Sequence, residues 1–239
     1  MQSTKRIILA LWLCFAAAGV FAQTANDIIN KNIEAMGGRD KLMKLTAVYE
    51  EITTSVMGQD IPGKVWIVND KGMRTEMEVM GQKIISVMTK DTGWMVNPLA
   101  GSSEPQPLPS EQVKQAAGRM DLRGQFMDYV NKGYTATLLG KETVDGKENY
   151  KLKLVKGSDN FEFYIDASTY LITKIVTQVN AAGQTMNTEI GMSDYRKTPE
   201  GYEFPYATTI NINPGGEIKS VISKLTVNPT VDPVVFQKP

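Results

Sequence analysis

Between Ala47 and Val227 the apolar residues recur at every second position, and this period decides what the chain can become. Phe161, Phe163 and Ile165 fall on one side of an extended chain, with Glu162 and Tyr164 on the other. Leu171, Thr173, Ile175, Thr177 and Val179 repeat the alternation, as do Met186, Thr188, Ile190 and Met192. Side chains of a strand point alternately to its two faces, so a period of two marks strands with one face on a core. Turn signals recur at the spacing of about 8 to 12 residues that an antiparallel meander shows. They include Asn69-Asp70-Lys71-Gly72, Gly81-Gln82, Asp91-Thr92-Gly93, Asp145-Gly146 and Pro214-Gly215-Gly216. Strands are therefore predicted over 47–58, 65–68, 73–80, 83–89 and 93–96. A second set falls at 135–139, 141–144, 151–155, 161–165, 171–179, 186–195, 202–212 and 218–227. Asp145-Gly146 is the pair that a two-residue type I′ hairpin requires.

Two regions depart from that period. Ile29, Ile33 and Met36 share one helical face over 25–36, with Thr24 or Asn26 as cap and Gly37-Gly38 as the stop. The stretch 97–109 holds Pro98, Pro105, Pro107 and Pro109 and is predicted to be a loop. Behind it Val113, Ala116, Ala117 and Met120 lie on one helical face, and Leu122, Phe126, Met127 and Val130 on that of a second helix starting at Asp121. A helical lid over about 110–132, behind the Pro-rich loop 97–109, is the expectation.

The first residues are an export signal. Lys5 and Arg6 precede an apolar run from Ile7 to Val20, and Val20-Phe21-Ala22 supplies the small residues of a cleavage site near Ala22. The run is too short for a transmembrane helix. Cys14 lies inside it, after Trp12 and Leu13, where lipid attachment does not occur. Residues 23–239 are then expected to form a single exported, periplasmic domain without a lipid anchor or a membrane span.

Composition removes several classes of activity. The chain has no histidine and one cysteine, Cys14, which leaves with the leader. Ser-His-Asp and Cys-His nucleophile systems and the usual zinc sites are excluded. Removing Lys5 and Arg6 leaves 24 basic against 26 acidic residues, so no basic surface for nucleic acid is expected. No cofactor, metal site or catalytic residue is assigned. An enzyme would have to work with carboxylates, Lys, Tyr or Arg alone, the nearest candidates being Glu76 and Glu78 on one strand face and Glu50 on another strand. The dense cluster Ser193–Tyr206 reads as two strands joined by the turn Thr198-Pro199-Glu200-Gly201, its charges facing solvent.

Long stretches resemble the lipoprotein-carrier (LolA/LolB-like) superfamily, most of all its outer-membrane lipoprotein-sorting branch. They are IINKNIEAMGGRDKLMKL at 28–45, VDGKENYKLKLVKGSDNFEFYIDASTYLITKI at 144–175, and the tail from Ser193-Asp194-Tyr195-Arg196 through Gly201-Tyr202-Glu203-Phe204-Pro205 to Val227-Asn228-Pro229 and Phe236. The resemblance implies a mainly β (α+β) fold: a curved antiparallel half-barrel sheet with helices packed on its concave face. It also implies that the space between sheet and helices takes up acyl chains under a lid held by polar contacts. Trp66, Met77, Met88, Trp94, Met120, Phe126, Met127, Phe161 and Phe163 are the candidate cavity residues, and Arg119 and Arg123 the candidate lid contacts, with Arg74 or Arg196 as alternatives. Thirteen methionines add flexible, polarizable side chains suited to a deformable apolar surface. The expected partner is a lipid or acylated lipoprotein, with an envelope protein as donor or acceptor. The alternative is an envelope protein–protein interaction or sensor module on the same fold.

Overall fold

The structure, a computed structural model, describes residues 23–118, 120–181, 184–213 and 216–238. The leader and Arg119 lie outside these residues. The first helix, α1 (Ala25–Ala35), begins with a reciprocal cap: Asp27 N–H donates to Thr24 Oγ1 and Thr24 N–H to Asp27 Oδ2. Such a box satisfies two of the free donors at a helix start. One face of α1 buries Ile28, Ile29 and Ile33. Gly37 adopts φ 127° after it, and a Cβ there would stand 2.9 Å from the carbonyl oxygen of Gly201. Glycine thus lets the end of α1 lie directly on the turn of residues 198–201. The short α2 (Arg39–Leu42) follows.

Thirteen strands then form one antiparallel sheet. The first set is β1 (Ala47–Val56), β2 (Gln59–Val68), β3 (Gly72–Val79), β4 (Gln82–Thr89), β5 (Gly93–Asn97) and β6 (Ser102–Pro107). After α3 (Ser110–Ala117) come β7 (Thr135–Val144), β8 (Lys147–Lys156), β9 (Asp159–Asp166), β10 (Ile172–Ala181), β11 (Gln184–Lys197), β12 (Glu203–Asn213) and β13 (Gly216–Val227). The spatial order is β6-β5-β4-β3-β2-β1-β13-β12-β11-β10-β9-β8-β7. The chain therefore starts at the centre, meanders to one edge, crosses to the opposite edge through residues 108–134, and meanders back to pair β13 with β1.

The sheet is curved and not closed. Val48 of β1, Leu225 of β13, Phe204 of β12, Phe163 of β9, Leu152 of β8 and Leu138 of β7 all meet the cluster around α1. Eight flat strands would span about 34 Å, three times a helix diameter, so they reach one helix only by wrapping around it.

Three expectations need correction. Residues 121–134 are successive turns, not a second helix, because Gly124, Asp128 and Gly133 take φ of 82°, 53° and 85°. The apolar spacing of Phe126 and Met127 serves burial in an irregular segment instead. The Pro-rich stretch is a 3-10 turn at Pro98–Ala100 and then the edge strand β6. Prolines survive there because β6 pairs with β5 alone. Finally, β2 runs through Pro62-Gly63 rather than starting after them. Pro62 lies opposite Thr53 of β1, while pairing with β3 begins only at Gly63, so at Pro62 the strand has a neighbour on one side alone. The Asp145-Gly146 turn has both residues at positive φ, 49° and 77°, as predicted.

Candidate functional site

Register sorts every strand residue onto one of two faces. Val48, which packs with α1, fixes the concave one. From it Glu50 and Ile52 of β1, Gly63 and Val65 of β2, Thr75 and Met77 of β3, and Ile84 and Ser86 of β4 are concave. On the other side Leu225, Ile222, Ser220 and Ile218 of β13 continue the face, then Ile210 of β12, Ile190 of β11 and Ile175 of β10.

One end of this face is filled. Phe126 and Met127 of the crossing segment are 4% and 1% exposed, and the Phe126 ring lies 4.6 Å from that of Phe163. Met120 caps a second cluster with Val65 and Met73, against which Met88 packs. The crossing segment is held by polar contacts: Asn69 accepts from Leu122 N–H, Arg39 pairs with Asp128 at 2.7 Å, and Asp121 receives both Arg123 and Lys132. A cleft of about 450 Å³ opens beside them, lined by Met43, Thr46, Asn69, Asp70, Arg123 and Val231 among others.

The other end is a trough. Ile52, Met77, Ile84, Ile190, Ile210 and Ile222 are half-buried there, while Glu189, Asn211, Glu217 and Lys219, their neighbours on the convex face, are exposed. From Leu225 to Gly216 the wall is about 30 Å long at strand rise. Gly63 matters to its shape, since the Met77 sulfur occupies the space where a Cβ would stand, beside Ile52.

Glu50 stands where the filled end meets the trough. Its register neighbours are Val65 and Leu225, and Val48 and Ile52 flank it on its own strand's face. It is enclosed by protein yet reachable from the open side, and burial pushes its carboxyl up to about 7. Thr188, also concave, is 5% exposed, and its hydroxyl has no hydrogen-bond partner among the described residues.

The predicted site residues divide accordingly. Met77, Met88, Met120, Phe126, Met127, Phe161 and Phe163 are on the concave side, but Phe126, Met127 and Phe163 belong to closed core. Trp66 and Trp94 are not on that side. The Trp66 ring lies tilted at 46° to that of Tyr49 with centroids 5.2 Å apart, and Trp94 pairs with Val87 in a convex cluster covered by Phe236. Their positions are one residue out of phase with Val65 and Met95, and a shift of one reverses the face. The C-terminal 3-10 turn Pro233–Phe236 lies on this convex patch, held by Arg74 Nη1 donating to Val235 O at 2.8 Å. Arg123 ties to Asp121 within its own segment.

Glu76 and Glu78 are convex, opposite to Glu50, so these carboxylates form no pair across a cleft. Burial works to raise the Glu76 carboxyl, but bonds from Arg74 and Lys83 outweigh it and hold it below the usual range. In the cluster 193–206, Arg196 pairs with exposed Asp194, while Tyr202 is buried and donates to Lys41 O at 2.9 Å. The cluster anchors the β11–β12 turn to α2. Sequence reasoning weighed Glu50 only as one carboxylate of a catalytic pair, and gave Asn69 and Thr188 no more than a turn and a strand position. The one legible signal was Glu50, a charge in phase with Val48 and Ile52.

No protein-family model matches the chain, and no curated protein sequence does. Solved structures do. An outer membrane lipoprotein-sorting protein domain from Vibrio parahaemolyticus matches with TM-score 0.57 and 10% identity, over 87% of this chain and 93% of that one. A LolA superfamily protein from Nitrosomonas europaea matches with TM-score 0.59 and 17% identity, over 90% and 99%. A DUF1329 family protein from Desulfovibrio piger matches with TM-score 0.60 and 13% identity, over 90% and 98%. The chain has the LolA-type half-barrel fold.

Proposed function

We propose that this chain is a periplasmic binding or carrier protein for a lipid or lipoprotein acyl chain, acting by reversible burial rather than by chemistry. The observation that carries this reading is the half-filled concave face: one end is closed by Phe126, Met127 and Met120, while the isoleucine-lined other end has no described element packed along it. Acyl chain placed there gains about 0.8 kcal/mol per buried CH₂. No reacting group is needed for useful affinity. Release requires only a state in which the chain is held less well. The LolA-type fold is the supporting likeness, and it carries no more than that at 10–17% identity. Residues 23–239 form one domain in this reading, with α3 as the part of the crossing that moves. Residues 120–134 stay docked through Phe126 and Met127.

Two sheet edges remain, β6 and β7, where another protein chain would add. Both are blunted, β6 by Pro105 and Pro107 and β7 by the irregularity at Gly140 followed by Lys141 and Glu142. That favours the trough over an edge as the working surface. Native mass spectrometry of detergent-free protein, followed by solvent extraction, tests the reading. Bound mass that extracts as acylated lipid is expected. Protein that stays free of added and endogenous lipid, yet captures a folded envelope protein, would overturn it.

A further inference from the structure

We propose that the amphiphile held in the trough carries a protonated amine that pairs with the Glu50 carboxylate. This rests on the reading of the trough as an acyl-chain site and specifies the other end of the ligand.

Charge placement is the first argument. Among the described residues of β1–β4 and β13, every charged side chain but one is convex or at a hairpin end. Glu51, Lys64, Arg74, Glu76, Lys83 and Lys224 all point away from the trough, several in ion pairs with one another. Among the described residues of these five strands, Glu50 alone points inward. The second argument is its surroundings. Val48, Ile52, Val65 and Leu225 flank it, and no described residue offers it a hydrogen bond or an opposite charge. A carboxylate in such a place is costly unless paired, and natural proteins pair buried charges. Among the described residues the protein supplies no such partner, so where Glu50 is ionised the ligand is left to do so.

The sign of the missing charge follows. A phosphate or carboxylate headgroup would face Glu50 with repulsion. A neutral hydroxyl would leave the carboxylate's charge uncompensated. An ammonium group satisfies both the charge and the acceptors. Position adds to this. Glu50 lies at the inner limit of the open wall, so an amine seated there lets its alkyl chain run along Ile52, Ile222 and Ile210 toward the hairpin ends.

The experiment is calorimetric titration of the mature chain at pH 8 with dodecylamine, dodecanol and dodecanoate. Three proteins are used: wild type, Glu50→Gln, and Glu78→Gln as an exposed convex control. Wild type and Glu78→Gln are expected to take dodecylamine at least about tenfold more tightly than dodecanol. Glu50→Gln is expected to lose that preference while keeping its affinity for dodecanol. Equal affinities in wild type, tighter dodecanoate, or a preference that survives in Glu50→Gln would overturn the amine assignment and leave the trough standing. If none of the three amphiphiles binds wild type, the trough reading itself fails, and the amine assignment with it.

Discussion

Leu122 donates its backbone N–H to Asn69 Oδ1 at 2.8 Å, so a turn residue between β2 and β3 holds the start of the segment that crosses the sheet. The side-chain Nδ2 of Asn69 donates in turn to the carbonyl oxygen of Leu45. One side chain thereby ties together three parts of the chain that are far apart in sequence. Replacing Asn69 by Ala strands a donor and an acceptor, at a cost of about 1–3 kcal/mol. Hydrogen exchange should accelerate first over residues 120–130. Exchange there at the wild-type rate would show that Phe126 and Met127 hold the segment without the amide.

Glu50 gives stability a pH dependence of predictable sign. Its carboxyl is raised by burial to about 7 in the folded chain, against an ordinary value of 4.5. The folded state therefore holds this proton more firmly than the unfolded one. The associated stability is complete below about pH 4.5 and is lost as pH rises through about 7. Glu50→Gln should raise the melting temperature of ligand-free protein at pH 8 and change it little at pH 4.5. Parallel melting curves for the two proteins across that range would contradict the placement of Glu50.

Phe126 and Met77 should separate stability from binding. Phe126 is buried against Phe163, and Phe126→Ala should cost about 3–5 kcal/mol in urea unfolding. Met77 is half-buried in the trough wall, and Met77→Ala should cost under about 2 kcal/mol. Uptake of an alkyl ligand is expected to change in the folded Met77 variant. A folded Phe126 variant with normal stability would remove the distinction between closed core and open wall.

Gly72 sits beneath the C-terminal turn. A Cβ at that position would stand 2.7 Å from Met88 O and 3.2 Å from the Phe236 ring. Gly72→Ala should displace Phe236 and cost about 1–3 kcal/mol through overpacking. Trp94 belongs to the same cluster, so its fluorescence should report the change. An unchanged emission spectrum would mean that the tail is not seated there in solution.

Local chemistry was read well from sequence and facing was not. The alternation of Phe161, Phe163 and Ile165, the Asp145-Gly146 turn and the Gly37-Gly38 stop each depend on residues close in the chain, and all three appear as expected. Trp66 and Trp94 were misplaced because their facing depends on registers with Tyr49 and Val87, which a single strand does not reveal. Phe126 and Met127 carry helical spacing, yet Gly124 and Asp128 take left-handed conformations that end a helix. The prolines of β6 read as loop because whether a strand lies at an edge is a property of the whole sheet. Glu50 was visible as a residue, but its isolation emerges only when the facing residues of β2 and β13 are known.

Because β1 pairs with β13, Val48 lies beside Val227 at the middle of the sheet. The central seam is thus made from the first and last strands of the sheet. Until residues 216–227 arrive, β1 has one bare edge, and the meanders on either side can assemble only as two halves. Contacts this distant in sequence form slowly, and an open strand edge invites mispairing while it waits. The chain's slowest folding step is then expected to be a zipping of two preformed halves, and a truncation before β13 should yield halves that associate with the wrong neighbours.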